Sequence, residues 1–223
     1  MRPTPKGLRP AQWQALNANL LGVGETDAAD LAAFLIGSGW RAGEAMALQV
    51  GSVEDYGSSS PMWVSMDRVL RVARGGSYIV DAEGKAQKSM RRIKLDPTTA
   101  AVVRRRCEGK RVDELVFTRD GQMWEHHRFR QALDRVRGLS GVPRLTSHWF
   151  RNTHVAWLAM SGAPLPELQT RIGHASITTT IGVYGGMIGD VQPATLDAFA
   201  RMRDSGPGVA GSSPMAVVEG STV

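Results

Sequence analysis

Apolar residues in this 223-residue chain recur mostly at helical spacing, with one interval of strand-like alternation. After a lead-in of about eight residues, the pattern predicts a helix over Pro10–Leu21. A second is expected over Thr26–Ile36, with Thr26 or Asp27 as its cap and Leu31, Phe34 and Leu35 as its apolar stripe. Gly37-Ser38-Gly39 breaks it, and a short third helix follows over Ala42–Gln49 with Ala45 and Leu48 inward. Between Met62 and Leu95 the texture changes. Short β-prone runs at Met62–Ser65, Val69–Val72, Tyr78–Val80 and Met90–Leu95 are punctuated by Gly75-Gly76 and Asp81-Ala82-Glu83-Gly84. They predict one small antiparallel sheet with tight turns, and the alternation is clearest at Met90–Leu95.

Helical spacing then resumes. Pro97 is expected to open a helix through Ala100, Val103 and Cys107. A helix over Trp124–Arg137 carries Phe129, Leu133 and Val136, and Ser147 is read as the cap of one running to Met160. A short helix over Pro166–Ile172 is interrupted at Gly173-His174, and Ser176 caps a stretch through Tyr184. A last amphipathic helix, Pro193–Arg203, carries Leu196 and Phe199, and residues 204–223 read as a flexible Gly/Ser/Pro-rich tail. The expected fold class is α+β and mainly helical: one domain over residues 1–203 with a small sheet and no internal repeat.

Composition narrows the partners. Hydrophobic residues make up 42% of the chain, enough for a packed core, and the net charge of +6 suits a polyanion such as nucleic acid or an acidic membrane surface. From Lys85 to Arg111 there are ten Lys or Arg against two acids, expected to grip phosphates; for Arg104–Arg106 a solvated helix face is the alternative. The single cysteine, Cys107, excludes an internal disulfide and is read as an incidental thiol. No apolar run approaches the roughly 18–20 residues of a membrane span, and the N-terminus lacks a signal peptide's apolar stretch. A soluble cytoplasmic protein is the expectation.

Several residues carry candidate chemistry. His148 and Arg151 are three apart, so they share a helix face, and a proton-shuttling imidazole beside a fixed cation suits a phosphate. Gly173-His174 lies at a break between helices, where a tight turn and a following helix N-terminus favour an anion. Tyr184 sits among glycines in Ile181-Gly182-Val183-Tyr184-Gly185-Gly186; cations around its phenol would favour the nucleophilic phenolate. Upstream, Arg41 opens a helix, and Glu44 one turn later orients it or serves as a first-turn acid. Lys85, in Gly84-Lys85-Ala86-Gln87-Lys88-Ser89, is expected at a hairpin tip that can reach into a groove. Each of these is common in isolation as a surface or core residue; their order along the chain is what carries weight.

In that order the chain resembles the catalytic domain of tyrosine recombinases, the phage integrase family, over about Pro10 to Arg203. The resemblance rests on Gly39-Trp40-Arg41-Ala42-Gly43-Glu44, on Lys85 ahead of Arg91 and Arg92, on His148 to Arg151, on Ile172-Gly173-His174, and on Tyr184. It implies the tyrosine recombinase catalytic fold and a site-specific recombinase that cleaves and rejoins DNA through a 3′-phosphotyrosine. Phage or mobile-element integration and excision is the implied setting. In the implied roles, Arg41 and Arg151 clamp the phosphate, His148 manages the tyrosine proton, His174 adds a hydrogen bond, Lys85 is the general acid, and Glu44 holds Arg41. Lys88, Arg91 and Arg92 are expected to bind DNA. The implied partner is double-stranded DNA, on which a tetramer assembles, with no cofactor, metal or ATP. The chain departs from the family pattern at Phe150, Asn152, Ile172 and Gly186, where Leu, His, Leu and His are commoner. With Arg41 so near the start, the family's N-terminal helical DNA-binding domain is expected to be absent. The rivals are a catalytically silent DNA-binding regulator on the same fold, a type IB topoisomerase, and a metal-dependent nuclease.

Overall fold

A computed structural model describes residues 7–57, 60–72, 78–81 and 90–173. All lie within one compact unit of the chain, Met1–Met187. Lys85, Lys88, His174, Tyr184, the helix expected at 193–203 and the tail lie outside the described residues, as does the 75–76 turn.

The helices are α1 (Pro10–Gly22), α2 (Thr26–Ser38), α3 (Ala42–Met46), α4 (Pro97–Cys107), α5 (His126–Val136), α6 (Ser147–Met160) and α7 (Leu165–Ile172). The strands are β1 (Val53–Glu54), β2 (Trp63–Met66), β3 (Val69–Val72), β4 (Tyr78–Asp81), β5 (Arg91–Lys94), β6 (Thr118–Arg119) and β7 (Gln122–Met123). They form three antiparallel groups, β1-β2-β5, β3-β4 and β6-β7, where the pattern predicts one sheet. The two-residue strands β1, β6 and β7 are too short to show alternation, which is why the sequence pattern misses them. Among the described residues no helix is long and apolar enough to cross a membrane.

Helix α2 is the hub. Ala28, Ala29, Leu31, Ala32, Phe34, Leu35 and Ile36 are all buried, so it is apolar nearly all round, as a central helix must be. It packs on α1, α3, α4 and α6. Its N-cap is Glu25, one residue before the expected cap, and Asp27 instead accepts bonds from Arg106 and from the Asp120 backbone N–H. Helix α4 opens at Pro97 as predicted: Asp96 caps it by accepting from the Thr98 and Thr99 N–H groups at 3.0 and 3.1 Å. The N-cap position of α6 is Thr146, so Ser147 is its first residue. The helix expected from Trp124 begins at His126, after an extended Glu125 at its N-cap, and Trp124 is wholly buried ahead of it. Helix α3 stops at Met46, short of Gln49, and a 3-10 turn at Val50–Ser52 leads into β1.

Two registers matter for the site. In β2-β5, Met66 faces Arg91 and Val64 faces Ile93. Val64, Met66 and Ile93 are buried, so Arg91 points to the core face and Arg92 to the outer one. In β3-β4, Val72 faces Tyr78 and Leu70 faces Val80.

Candidate active site

The start of α3 presents Arg41. Its backbone N–H donates to Glu44 Oε2 at 2.9 Å, and its Nη1 donates to Glu44 Oε1 at 2.9 Å. Glu44 is 2% exposed, and its Oε2 also accepts from Arg91 Nη2 at 2.6 Å. Burial alone would raise the Glu44 carboxyl. The Arg91 charge and hydrogen bond, with the N–H and charge of Arg41, outweigh it and hold the carboxyl below its ordinary range. The Arg41 side chain is half-exposed, and only Nη1 is engaged among the described residues. Gly43 is a close approach: a Cβ there would lie 2.9 Å from the Leu70 carbonyl oxygen and 3.3 Å from His126 Nε2. Glycine therefore lets the Arg41 helix lie directly against β3 and α5.

Helix α6 carries His148 and Arg151 on one face, as the spacing predicts. Arg151 is 1% exposed. Its Nη1 donates to the Gly39 carbonyl at 2.7 Å and its Nη2 to the Ile172 carbonyl, while its Nε is buried with no partner among the described residues. Burial, followed by the charges of Arg41 and Arg91, pushes its guanidinium down to about 9, still charged at neutral pH. Arg91 Nε takes the neighbouring carbonyl, that of Arg171, at 3.0 Å. Two guanidinium groups thus cap the end of α7, whose last carbonyls have no partner within the helix and form the negative end of its dipole.

Arg171 completes the frame. Its Nη1 and Nη2 donate to the Lys94 and Gly37 carbonyls at 2.8 and 3.1 Å, and its Nε to His154 Nε2 at 3.0 Å. His154, with its acceptor nitrogen so used, donates from Nδ1 to the Ile36 carbonyl at 2.7 Å. Burial, and then the nearby Arg171 charge, pushes His154 down to about 3, so it is neutral. Gly39 closes α2 at φ +69°, and a Cβ there would lie 2.4 Å from His154 Cδ2. The tight turn before Arg41 therefore needs glycine for both its backbone angle and its contact with α6.

Arg41, Ala42, Gly43, Glu44, Val69, Leu70, His126, Ser147, His148 and Arg151 line one cleft of about 320 Å³. The expected Arg41, Glu44, His148 and Arg151 come together here, from sequence positions up to 110 apart. With Arg91 behind Glu44, three guanidinium groups stand against one carboxylate. That excess favours an anion, and Arg151 is buried with no carboxylate partner among the described residues. Among the described residues no group of three His, Cys, Asp or Glu is placed to hold a metal ion.

Two expected DNA-binding residues take other places. Arg91 is 5% exposed and serves the Glu44–α7 frame rather than an outer surface. Arg92 faces out but forks onto Glu54 through Nε and Nη2 and lies over the Trp63 ring at 4.3 Å. The Arg104–Arg106 run is also paired, with Asp55, Asp30 and Asp27. Sequence reasoning missed His154 and Arg171, although His154 continues the three-residue spacing of His148 and Arg151. It also missed His126, which no motif marks.

The phage integrase family model matches residues 6–186. No curated protein sequence matches. Among solved structures, the chain is similar to the Tn1549 transposon integrase in complex with circular intermediate DNA: TM-score 0.70, 21% identity, covering 90% of this chain and 68% of that one. It is similar to the XerH site-specific recombinase bound to difH substrate at TM-score 0.57 and 15% identity, covering 89% and 55%. A lambda integrase dimer bound to a COC′ core site matches at TM-score 0.57 and 12% identity, covering 86% and 52%. The chain thus spans about two thirds of the first and about half of the other two. At these identities the likeness establishes the fold.

Proposed function

The chain belongs to the phage integrase family of site-specific recombinases, and from that membership we propose that it cleaves and rejoins double-stranded DNA through a covalent bond to Tyr184. The observation that carries the reading is Arg151. Among the described residues it is a buried guanidinium with a spare donor and no carboxylate partner, on the same cleft as Arg41 and His148. A phosphodiester supplies the missing charge. Forked donors from Arg41 and Arg151 would hold its non-bridging oxygens and stabilise the charge that grows in the transition state.

In the proposed reaction the Tyr184 phenolic oxygen attacks the scissile phosphorus, and the bond to the 5′-oxygen breaks. His148 accepts the phenol's proton, and Lys85 gives one to the departing 5′-oxygen. The product is a 3′-phosphotyrosine and a free 5′-hydroxyl. A 5′-hydroxyl from another strand reverses the step, so the bond energy stays in the protein–DNA link and ATP is not consumed. His174 adds a hydrogen bond to the phosphate, and Glu44 fixes Arg41 through its two contacts. Strand exchange takes place in a tetramer assembled on DNA, with mobile-element integration or excision as its setting.

The test is covalent capture. A library of nicked duplexes of random sequence is incubated with the protein, and species surviving denaturation are recovered and sequenced. The wild-type protein should enrich one site and form an adduct that Tyr184→Phe abolishes. Failure of the wild-type protein to form any adduct, with DNA still bound, would identify a binder without strand chemistry.

A further inference from the structure

His126 belongs to none of the motifs that define the site, yet it meets two of the elements around it. It is the first residue of α5 and lines the phosphate cleft with Arg41, His148 and Arg151. With Ala42 and Ser147 it also lines an adjoining cleft of about 380 Å³ that Tyr78, His127, Arg130 and Arg137 continue. Its ring stacks on Tyr78 of β4, with centroids 5.9 Å apart and planes 11° from parallel. Its Nε2 lies 3.3 Å from where a Gly43 Cβ would be, against the first turn of α3. The imidazole is therefore wedged between the Arg41 helix and the β3-β4 hairpin.

That hairpin needs such a wedge. It is a two-stranded sheet, separate from β1-β2-β5, and an isolated pair of strands is only marginally stable. Through β3 it rests on α3, where Gly43 admits the Leu70 carbonyl. Tyr78 opens β4, and Lys85 follows four residues after the strand's last residue, Asp81.

We propose that His126 is a positioning residue for the general acid: wedged between Tyr78 and Gly43, it fixes the β3-β4 hairpin on the catalytic helices and so sets where the Lys85 segment begins. The inference rests on the assignment of Lys85 as proton donor. His126 acts by stacking, as a spacer, and transfers no proton itself.

The test uses the full 223-residue chain and the nicked duplex selected by covalent capture, made with either oxygen or sulfur at the 5′-bridging position of the scissile phosphate. A thiolate leaves without a proton, so the sulfur substrate bypasses any defect in general acid catalysis. His126→Ala is expected to slow adduct formation about 10- to 100-fold on the oxygen substrate, the scale of a small misplacement, and to restore near wild-type rates on sulfur. His126→Phe keeps a stackable ring and should recover most of the oxygen rate. Lys85→Ala calibrates the assay. If it is rescued by sulfur but His126→Ala is equally slow on both substrates, the positioning role is overturned while Lys85 stands. The role is likewise overturned if His126→Phe is as slow as His126→Ala, or if His126→Ala cleaves oxygen substrate at the wild-type rate. If sulfur fails to rescue Lys85→Ala, the general-acid assignment fails first and the inference with it.

Discussion

Two arginine clusters behave in opposite ways in this fold. On α4, Arg104, Arg105 and Arg106 form the densest basic run in the sequence, yet each ends on a carboxylate: Asp55 at 2.8 Å, Asp30 at 2.6 Å and Asp27 at 2.5 Å. At the cleft, Arg151 stands alone in sequence, is buried, and among the described residues bonds only to backbone carbonyls. The visible run is neutralised by acids brought from elsewhere in the chain, while the single arginine is left in deficit. Positive charge that the fold leaves uncompensated is what a polyanion can use. Counting cations along a sequence does not find it.

The largest expected contrast is in strand cleavage. Arg151→Lys keeps a charge but loses the planar fork and at least one of its two carbonyl bonds. It should lower single-turnover adduct formation by about 10²–10³, the scale of removing one transition-state donor. Arg105→Ala, whose side chain is 57% exposed and paired with Asp30, should change it less than about twofold. Equal losses in the two variants would erase the distinction between the clusters. Thermal unfolding of both variants separates a catalytic defect from a folding one.

A second contrast is in pH. The frame behind Arg151 uses a neutral imidazole where α4 uses carboxylates. The His154 folded value of about 3 lies below the ordinary 6.5, so in that window the unfolded chain takes the proton first. Its contribution is complete above about 6.5 and is lost as pH falls. The loss should run at about 1.4 kcal/mol per pH unit, or about 2 kcal/mol between pH 6.5 and 5. The Arg104–Asp55 pair on α4 fails only at lower pH, since the Asp55 carboxyl is held below its ordinary 3.8 by Arg104. Denaturant titrations at several pH values should show this slope in the wild type and a flatter one in His154→Asn. A wild-type stability that is level across pH 5–6.5 would mean that the buried frame tolerates a charged imidazole.

Much of this was legible in the sequence, in a specific way. Periodicity located every α-helix among the described residues, and the i, i+3 rule put His148 and Arg151 on one face. Motif order anticipated that Arg41, Glu44, His148 and Arg151 would share a site. Arg91 and Arg92 show how far strand alternation reads. Period-two alternation puts Arg91 on the face of Ile93, hence inward, and Arg92 on the face of Lys94, hence outward. Their adjacency within a basic run nonetheless groups both as DNA contacts. The three carboxylates that neutralise α4 were not readable, because pairing between residues 49 to 79 apart is set by how α2 and the Asp55 loop pack on α4. His126 gave no signal because its neighbours, Tyr78 and Gly43, come from other elements.

The smallest effect is also the most direct probe of which cations meet phosphate. Each phosphate contact releases condensed counterions and adds about 0.9 to the slope of log binding constant against log salt. Arg41 is half-exposed on the cleft, with only Nη1 engaged among the described residues. Arg41→Ala should therefore reduce that slope by about 0.9 on the captured duplex. Arg104 already holds both Asp55 oxygens through Nε and Nη2, so Arg104→Ala should leave the slope unchanged. To reach a phosphate, Arg104 would first have to break that fork. A fall in slope for Arg104→Ala as large as for Arg41→Ala would show that α4 exchanges Asp55 for DNA on binding. The two clusters would then differ only in the free protein, and the neutralised run would be a reserve that the nucleic acid draws on.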